Sequence, residues 1–259
     1  MRPALRYHGG KWRLAPWIIG HLPAHRVYVE PFGGGASVLL RKERSYAEVY
    51  NDLDLEIVNF FEVLRDRSEE FLRLIRLTPF ARDELSKAYD IRYYSPGSVL
   101  EKARHTLIKS FMGFGSDGIK KPSGFRAYSG NNRRRPPAQD WKDWPDAAQA
   151  LVGRMQGVII ENRPALDVIK RHDGPETLHY VDPPYVHSTR ESDKRYRFEM
   201  TDDEHEELAV ALHAVKGAVV VSGYACKLYD RLYAGWRVER TIAMADGAKR
   251  RIEKLWIKP

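Results

Sequence analysis

Two consecutive prolines behind an acid constrain this chain more than any other feature. The stretch Tyr180-Val181-Asp182-Pro183-Pro184-Tyr185 closes the apolar, β-branched and aromatic run Thr177-Leu178-His179-Tyr180-Val181, which itself follows the turn residues Asp173-Gly174-Pro175. This pattern predicts a buried central strand ending at Asp182. Pro183 and Pro184 stop the strand, because neither can donate a backbone hydrogen bond and both have fixed φ. The carbonyls around Pro183 are left as rigid acceptors. A carboxylate beside a stiff carbonyl is a pure acceptor pair, suited to an amino group carrying two hydrogens, and the Tyr185 ring can stack on a flat heterocycle. The four residues together point to the exocyclic amine of a base. A bare Asp-Pro dipeptide would mean no more than a stiffened turn; the full motif at the end of a buried strand favours a site.

The rest of the chain supplies the context. Its 259 residues, 43% of them hydrophobic, suffice for one large α/β domain or one with a smaller insertion. No apolar run of 18 residues occurs and Met1-Arg2-Pro3-Ala4-Leu5-Arg6 carries no apolar signal region, so a cytoplasmic protein without a membrane segment is expected, and a monomer. A lone Cys226 excludes an intramolecular disulfide and a cysteine-cluster metal site. His205-Glu206 lacks the second histidine of a metalloprotease helix, and no metal is expected. The formal charge of +8 favours polyanionic partners. Its placement is more telling: Gly113 to Lys142 holds Lys120, Lys121, Arg126, Arg133, Arg134, Arg135 and Lys142 against only Asp117 and Asp140.

Taken in order, the chain alternates strand and helix. A glycine-bearing turn at Arg6–Lys11 precedes a short helix over Arg13–His21. The strand Val27–Val29 runs into Glu30-Pro31-Phe32-Gly33-Gly34-Gly35-Ala36-Ser37, where a helix is expected to start. Strand, glycine loop and helix form half of a nucleotide-binding unit, in which Gly33 and Gly35 let backbone approach a ligand. The second strand, Ala47–Tyr50, ends at Asn51-Asp52, where an acid can hold a ribose diol; a helix N-cap is the competing role for Asp52. Helices at 54–67, 69–77, 81–89 and 98–111 interrupt the alternation and suggest an inserted subdomain. The basic stretch 113–142, with Phe114, Phe125 and Tyr128 interleaved, reads as a hairpin-bearing loop. Strands at 157–160, 218–222, 237–243 and 254–257 and helices at 165–170, 202–216 and 227–233 complete the sheet. The polar segment 187–197 has no apolar anchor and is expected to act as an active-site lid.

Four motifs then occur in one order: Tyr7-His8-Gly9-Gly10-Lys11, Glu30 to Ser37, Asn51-Asp52, and Asp182 to Tyr185. Jointly they resemble the Dam-like adenine-specific DNA methyltransferases, and Ser222-Gly223-Tyr224 and Glu253-Lys254-Leu255-Trp256-Ile257 resemble phage and prophage members. The resemblance spans nearly the whole chain. It implies an α/β fold, a Rossmann-like S-adenosylmethionine-dependent methyltransferase sheet formed by residues 1–56 and 157–259, with a helical and hairpin-bearing target-recognition domain inserted at 57–156. It also implies S-adenosylmethionine as methyl donor, S-adenosylhomocysteine as product, and the adenine amine of double-stranded DNA as acceptor, in a phage or restriction-modification setting. By the same resemblance Tyr7, Lys11, Asp52 and Asp182 match cofactor contacts, and Glu30 and Phe32 line the cofactor pocket. Pro164 stands where relatives often carry an acid, and Asn162 is the substitute expected beside the cofactor's adenine. Asp182, Pro183 and Tyr185 are the expected catalytic group. Lys120, Lys121, Arg126, Asn131, Asn132, Arg133, Arg134 and Arg135 are the expected DNA contacts.

The chemistry needs no covalent intermediate. An aromatic amine is a poor nucleophile, so acceptors at Asp182 and the Pro183 carbonyl would localise its lone pair, and the base must first be flipped out of the duplex. Three rivals share parts of the pattern. Methylation of the cytosine amine would use the same four residues. A dinucleotide-dependent oxidoreductase would leave Asp182 to Tyr185 unexplained, and a catalytically silent DNA-binding module would leave Lys11, Asp52 and Asp182 without a use.

Overall fold

The strand before the prolines is buried at every position. In the computed structural model, which describes residues 1–90, 92, 98–116, 118–119, 121–127, 135–186, 198–244 and 250–258, β4 (Thr177–Val181) lies between β1 (Val27–Glu30) and β5 (Ala218–Tyr224), parallel to both. A strand covered on both faces needs a continuous apolar run, which is what Thr-Leu-His-Tyr-Val supplies. β2 (Ala47–Asn51) pairs parallel with β1. β7 (Arg250–Ile257) runs antiparallel between β5 and β6 (Arg237–Met244). With β3 (Val158–Glu161) at the other edge, the seven strands follow the order β3-β2-β1-β4-β5-β7-β6. This is a doubly wound, Rossmann-like sheet with an antiparallel strand let in near one edge. Its order reverses between β1 and β4, the switch point where open α/β sheets hold ligands at the carboxyl ends of their strands.

The chain divides into two compact units. One comprises Lys11–Gly33, Arg41–Leu53 and Glu161–Pro259 and carries most of the sheet. Beside β5 its core packs Val181, Leu212, Val221, Tyr229 and Trp256, all at most 2% exposed. Here α1 (Ala15–Ile19) precedes β1, and α8 (Ala165–His172), α9 (Asp202–Ala214) and α10 (Lys227–Leu232) connect strands. α9 starts at a capping box, in which Thr201 accepts from the Glu204 amide and Glu204 reaches back to Thr201. Cys226 takes the N-cap position of α10 and is half-buried, in keeping with a packing role.

The other unit comprises Met1–Gly10, Gly34–Leu40 and Asp54–Ile160. It is helical: α2 (Leu55–Asp66), α3 (Ser68–Leu77), α4 (Arg82–Tyr89), α5 (Val99–Met112), α6 (Pro137–Lys142) and α7 (Trp144–Met155). Asp54 caps α2 through the Glu56 amide and Ser98 caps α5 through the Glu101 amide. Phe60, Phe71, Phe111 and Trp144 meet mostly edge to face, with centroids 5.9–6.3 Å apart. The basic stretch contains one antiparallel bridge, Gly113 with Phe125, flanked by the bonds Phe114 N–H to Gly124 O and Arg126 N–H to Met112 O.

Two features depart from the sequence expectation. No helix starts at Ser37: residues 37–41 form turns closed by Leu40 N–H to Ala36 O at 2.9 Å. Gly34 and Ala36 hold φ of 46° and 51°, so the backbone leaves the right-handed path immediately before the expected start. Conversely, α6 and α7 have no counterpart among the expected helices. Each begins with proline in its first turn, where a missing N–H costs nothing. Pro137 lies in the stretch read as a loop and is a helix start instead. Residues 187–197, the expected lid, lie outside the described residues, as do Lys120, Asn131, Asn132, Arg133 and Arg134.

Candidate functional site

At the carboxyl end of β4 the chain presents Asp182 with its two prolines, and three neighbouring segments deliver partners to it. Lys11, 4% exposed, donates from Nζ to Asp182 Oδ1 at 2.8 Å and also to the Tyr185 hydroxyl. From β5, Ser222 Oγ donates to the same Oδ1 at 2.8 Å. A carboxylate can only accept, so the Ser222 hydrogen is committed to it and the Tyr180 hydroxyl, 2.9 Å from Ser222 Oγ, donates to the serine. The relay Tyr180 to Ser222 to Asp182 is buried at its first two members. Both donors converge on one oxygen. Among the described residues no hydrogen bond falls on Asp182 Oδ2, and the Asp182 side chain keeps 18% exposure.

Charge at this strand end is tightly balanced. Lys11 Nζ lies 3.4 Å from Glu253 Oε1 on β7, an ion pair without hydrogen-bond geometry. Burial by itself lowers the Lys11 pKa, yet Asp182 and then Glu253 outweigh it and hold the ammonium well above the ordinary lysine range. Glu253, 1% exposed, moves the other way for a carboxyl: burial pushes it up, Lys11 opposes, and Asp182 adds to the rise. Burial likewise raises Tyr180, so its phenol stays protonated as the relay requires. Tyr185, 8% exposed, stacks one ring face on Tyr224 with centroids 4.3 Å apart and planes at 29°.

The neighbouring strand ends carry the remaining candidates of this unit. Tyr28 donates to Glu30 Oε2 at 3.0 Å, which fixes the buried Glu30 carboxylate at the end of β1. Asn51, fully buried at the end of β2, donates to the carbonyls of Pro31 and Arg163 at 2.9 and 3.0 Å and accepts from the Arg163 amide at 2.9 Å. One side chain thereby ties together the turns after β1, β2 and β3. Asn162 donates to the Asp52 carbonyl at 2.7 Å and so holds the next residue. Asp52 is half-buried and does not cap α2, since Asp54 has that role. Gly33 donates its amide to Asn51 O at 2.7 Å, and a Cβ there would sit 2.1 Å from Tyr50 Cε2, so only glycine lets the turn close on the tyrosine. Phe32 is half-buried against the core beside β5.

A Rossmann-like sheet whose β4 ends in Asp-Pro-Pro-Tyr is matched by one family description, that of the D12 class N6 adenine-specific DNA methyltransferases, over residues 7–246. The chain belongs to this family. It is similar to the DNA adenine methylase of Vibrio cholerae, 25% identical over 272 aligned positions that cover 98% of this chain and 94% of that protein. It is similar also to the DNA adenine methylases of Serratia marcescens, 34% identical over 87 residues, and of Escherichia coli K12, 31% identical over 75 residues. Those two matches are local, spanning 31% and 27% of the respective relatives. The chain is an adenine-specific DNA methyltransferase, and the cytosine and oxidoreductase readings fall away.

In the helical unit of this methyltransferase, Tyr7 packs on the glycine turn. A Cβ at Gly34 would lie 2.8 Å from Tyr7 Cε1, and one at Gly35 3.2 Å from Tyr7 Cβ. Of the described basic candidates, Lys121 is exposed, Arg126 is held 3.6 Å from Asp140, and Arg135 pairs with Asp143. Among the described residues no group of three His, Cys, Asp or Glu side chains could hold a metal, and no helix is long and apolar enough to cross a membrane. Sequence reasoning quoted Asn51, Ser222 and Glu253 within motifs without giving them roles. Glu253 carried a usable signal: it shares one face of β7 with Leu255 and Ile257 at two-residue spacing, and a lone acid in an inward apolar row asks for a partner.

Proposed function

We propose that this enzyme transfers a methyl group from S-adenosylmethionine to the adenine N6 amine, and that Asp182 Oδ2 and the Pro183 carbonyl are the acceptors that hold the amine. The observation that carries the reading is the division of labour at Asp182: Lys11 and Ser222 occupy Oδ1, and Oδ2 keeps its lone pairs. Two fixed donors on one oxygen orient the carboxylate before any substrate arrives, so no reorganisation is needed during reaction. S-adenosylmethionine, when bound, supplies the electrophilic methyl. Asp182 and the Pro183 carbonyl draw the two N6 hydrogens and make the nitrogen lone pair available. Asp182 also faces the positive charge that grows on the amine and takes up its proton as the bond to the methyl forms.

The donor set supports S-adenosylmethionine as the cofactor. A half-buried Asp52 at the end of β2, a buried Glu30 at the end of β1 and Asn162 after β3 offer acceptors for a diol and an ammonium, and Gly33 brings backbone close without a side chain. Tyr7, Lys11, Phe32 and Gly35 complete the proposed cofactor-binding group. The acceptor pair lies beyond the reach of a paired base, so the adenine is flipped out, with Tyr185 as the aromatic wall it meets. Tyr224 stacks on one face of that ring and Lys11 Nζ lies 4.7 Å from its centroid, which fixes the ring in place. We assign target recognition to residues 57–156, with Lys120, Lys121, Arg126, Asn131, Asn132 and Arg133 to Arg135 contacting double-stranded DNA.

One experiment tests this. The protein is incubated with labelled S-adenosylmethionine and unmethylated genomic DNA, and modified positions are read by sequencing sensitive to methyladenine. Transfer to N6 of adenine in a recurring sequence is the expected result. DNA binding with no S-adenosylmethionine binding by calorimetry would turn the reading to a silent DNA-binding module.

A further inference from the structure

Asp182 has a difficulty as an acceptor for a growing positive charge: it is already paired with a cation. Lys11 Nζ sits 2.8 Å from Oδ1 with both charges largely withdrawn from water, so the pair alone is close to neutral at the place where the amine turns cationic. A second carboxylate stands behind the lysine. Glu253 Oε1 lies 3.4 Å from Lys11 Nζ, is buried and makes no hydrogen bond, and the residue is 1% exposed on an inward face otherwise filled by Leu255 and Ile257. The register puts Glu253 opposite Tyr224 at the end of β5, next to the ring stacked on Tyr185. An acid there costs desolvation that a leucine would avoid, and an ion pair without hydrogen-bond geometry recovers only part of it. Its effect is on Lys11.

We propose that Glu253 is a positioning residue for methyl transfer: it shares the Lys11 ammonium with Asp182, returning to the strand end the negative charge that Lys11 removes and holding Lys11 on Oδ1, away from Oδ2. With Glu253 ionised the cluster Asp182, Lys11 and Glu253 carries one net negative charge; without it the cluster is neutral. The inference rests on the reading of Asp182 as the amine acceptor. The charged and titratable groups that face the pair are Asp182 and Tyr180 from β4 and its end, Tyr185 after it, and Tyr224 on β5. Burial drives the Glu253 carboxyl above its ordinary range, so its protonation precedes that of an ordinary glutamate as pH falls, and the rate falls with it.

The test combines turnover and a titration. Single-turnover methyl transfer by Glu253→Gln is expected to be about tenfold slower, less than the roughly 10²–10³ of a direct contact. S-adenosylmethionine and DNA affinities should change little, and the Glu253 part of the acid limb should be lost. Glu253→Asp, which keeps the charge on a shorter arm, should recover part of the rate. A folded Glu253→Gln with wild-type rate and an unaltered acid limb overturns the proposal. In wild-type protein, which removes any dependence on how the variants fold, the Lys11 Nζ resonance is followed by nitrogen-15 NMR beside the carboxyl carbon of Glu253. A shared midpoint above the ordinary glutamate value is expected; a Lys11 signal indifferent to that titration overturns the proposal. The NMR arm needs no catalysis, so it separates failure here from failure of the Asp182 reading.

Discussion

At the scale of single residues, the proposed reading of the strand-end cluster separates groups assigned to the amine from groups assigned to the cofactor. Asp182→Ala removes the proposed acceptor together with the anchor for Lys11 and Ser222. Methyl transfer should fall by at least about 10²–10³ with DNA affinity preserved, read by single-turnover transfer and filter binding on the same preparation. Near-normal turnover in a folded variant would remove Asp182 from the chemistry. Asp52→Ala should weaken S-adenosylmethionine binding by roughly 1–3 kcal/mol with little change in melting temperature. The helix-cap role that competed for Asp52 belongs to Asp54, whose side chain accepts from Glu56 N–H at 3.0 Å, so a variant that lost stability and kept its cofactor affinity would contradict the assignment. The acid of the motif was legible in the sequence because two prolines fix what surrounds it. Ser222 and Tyr180 were not, because their relay joins two strands 42 positions apart in the chain, a spacing that no local pattern reports.

At the scale of elements, β4 was legible for a physical reason: a parallel strand covered on both faces cannot alternate polar and apolar residues, so its run stands out. The helices at 54–67 and 98–111 were legible by their ranges, but the cap of α2 is Asp54, not the Asp52 that competed for that role in the sequence. What failed was punctuation. Glycine after β1 read as the approach to a helix, yet Gly34 and Ala36 turn the backbone left-handed, and Pro137, inside the stretch read as a loop, opens α6. The glycines of that turn pack closely on tyrosines, whatever they do for a ligand. Gly33→Ala would place a methyl 2.1 Å from Tyr50 Cε2, inside a fully buried contact that has nowhere to move. Overpacking of this kind costs about 1–3 kcal/mol. The expected result is a lower melting temperature together with weaker S-adenosylmethionine binding, since the same turn donates its Gly33 amide to Asn51 O at the end of β2. Unchanged cofactor affinity at a lowered melting temperature would mean that the turn is structural only.

At the scale of the whole molecule, the question is which part of the +8 charge meets DNA. Most of the excess lies between Gly113 and Lys142, but part of it is spent internally: Asp140 draws Arg2 and Arg126, and Asp143 pairs with Arg135. A cation held by a neighbouring acid releases fewer counterions on binding, because a phosphate must first displace that acid. Among the described residues of the run Arg133-Arg134-Arg135, Arg135 has a protein partner, and its own contribution to phosphate contacts should be smaller than that of a solvated cation. Each phosphate contact steepens the dependence of log affinity on log salt by about 0.9. Replacing all three by alanine should make the slope shallower by about 0.9–1.8, one or two contacts, on target and scrambled duplexes alike. Discrimination at a single base pair should change only if one arginine reads guanine, by about 1–3 kcal/mol. Binding measured at several salt concentrations on both duplexes decides between these outcomes: an unchanged slope moves the phosphate-binding surface away from the run, and a full three-contact loss would mean that DNA displaces Asp143 from Arg135.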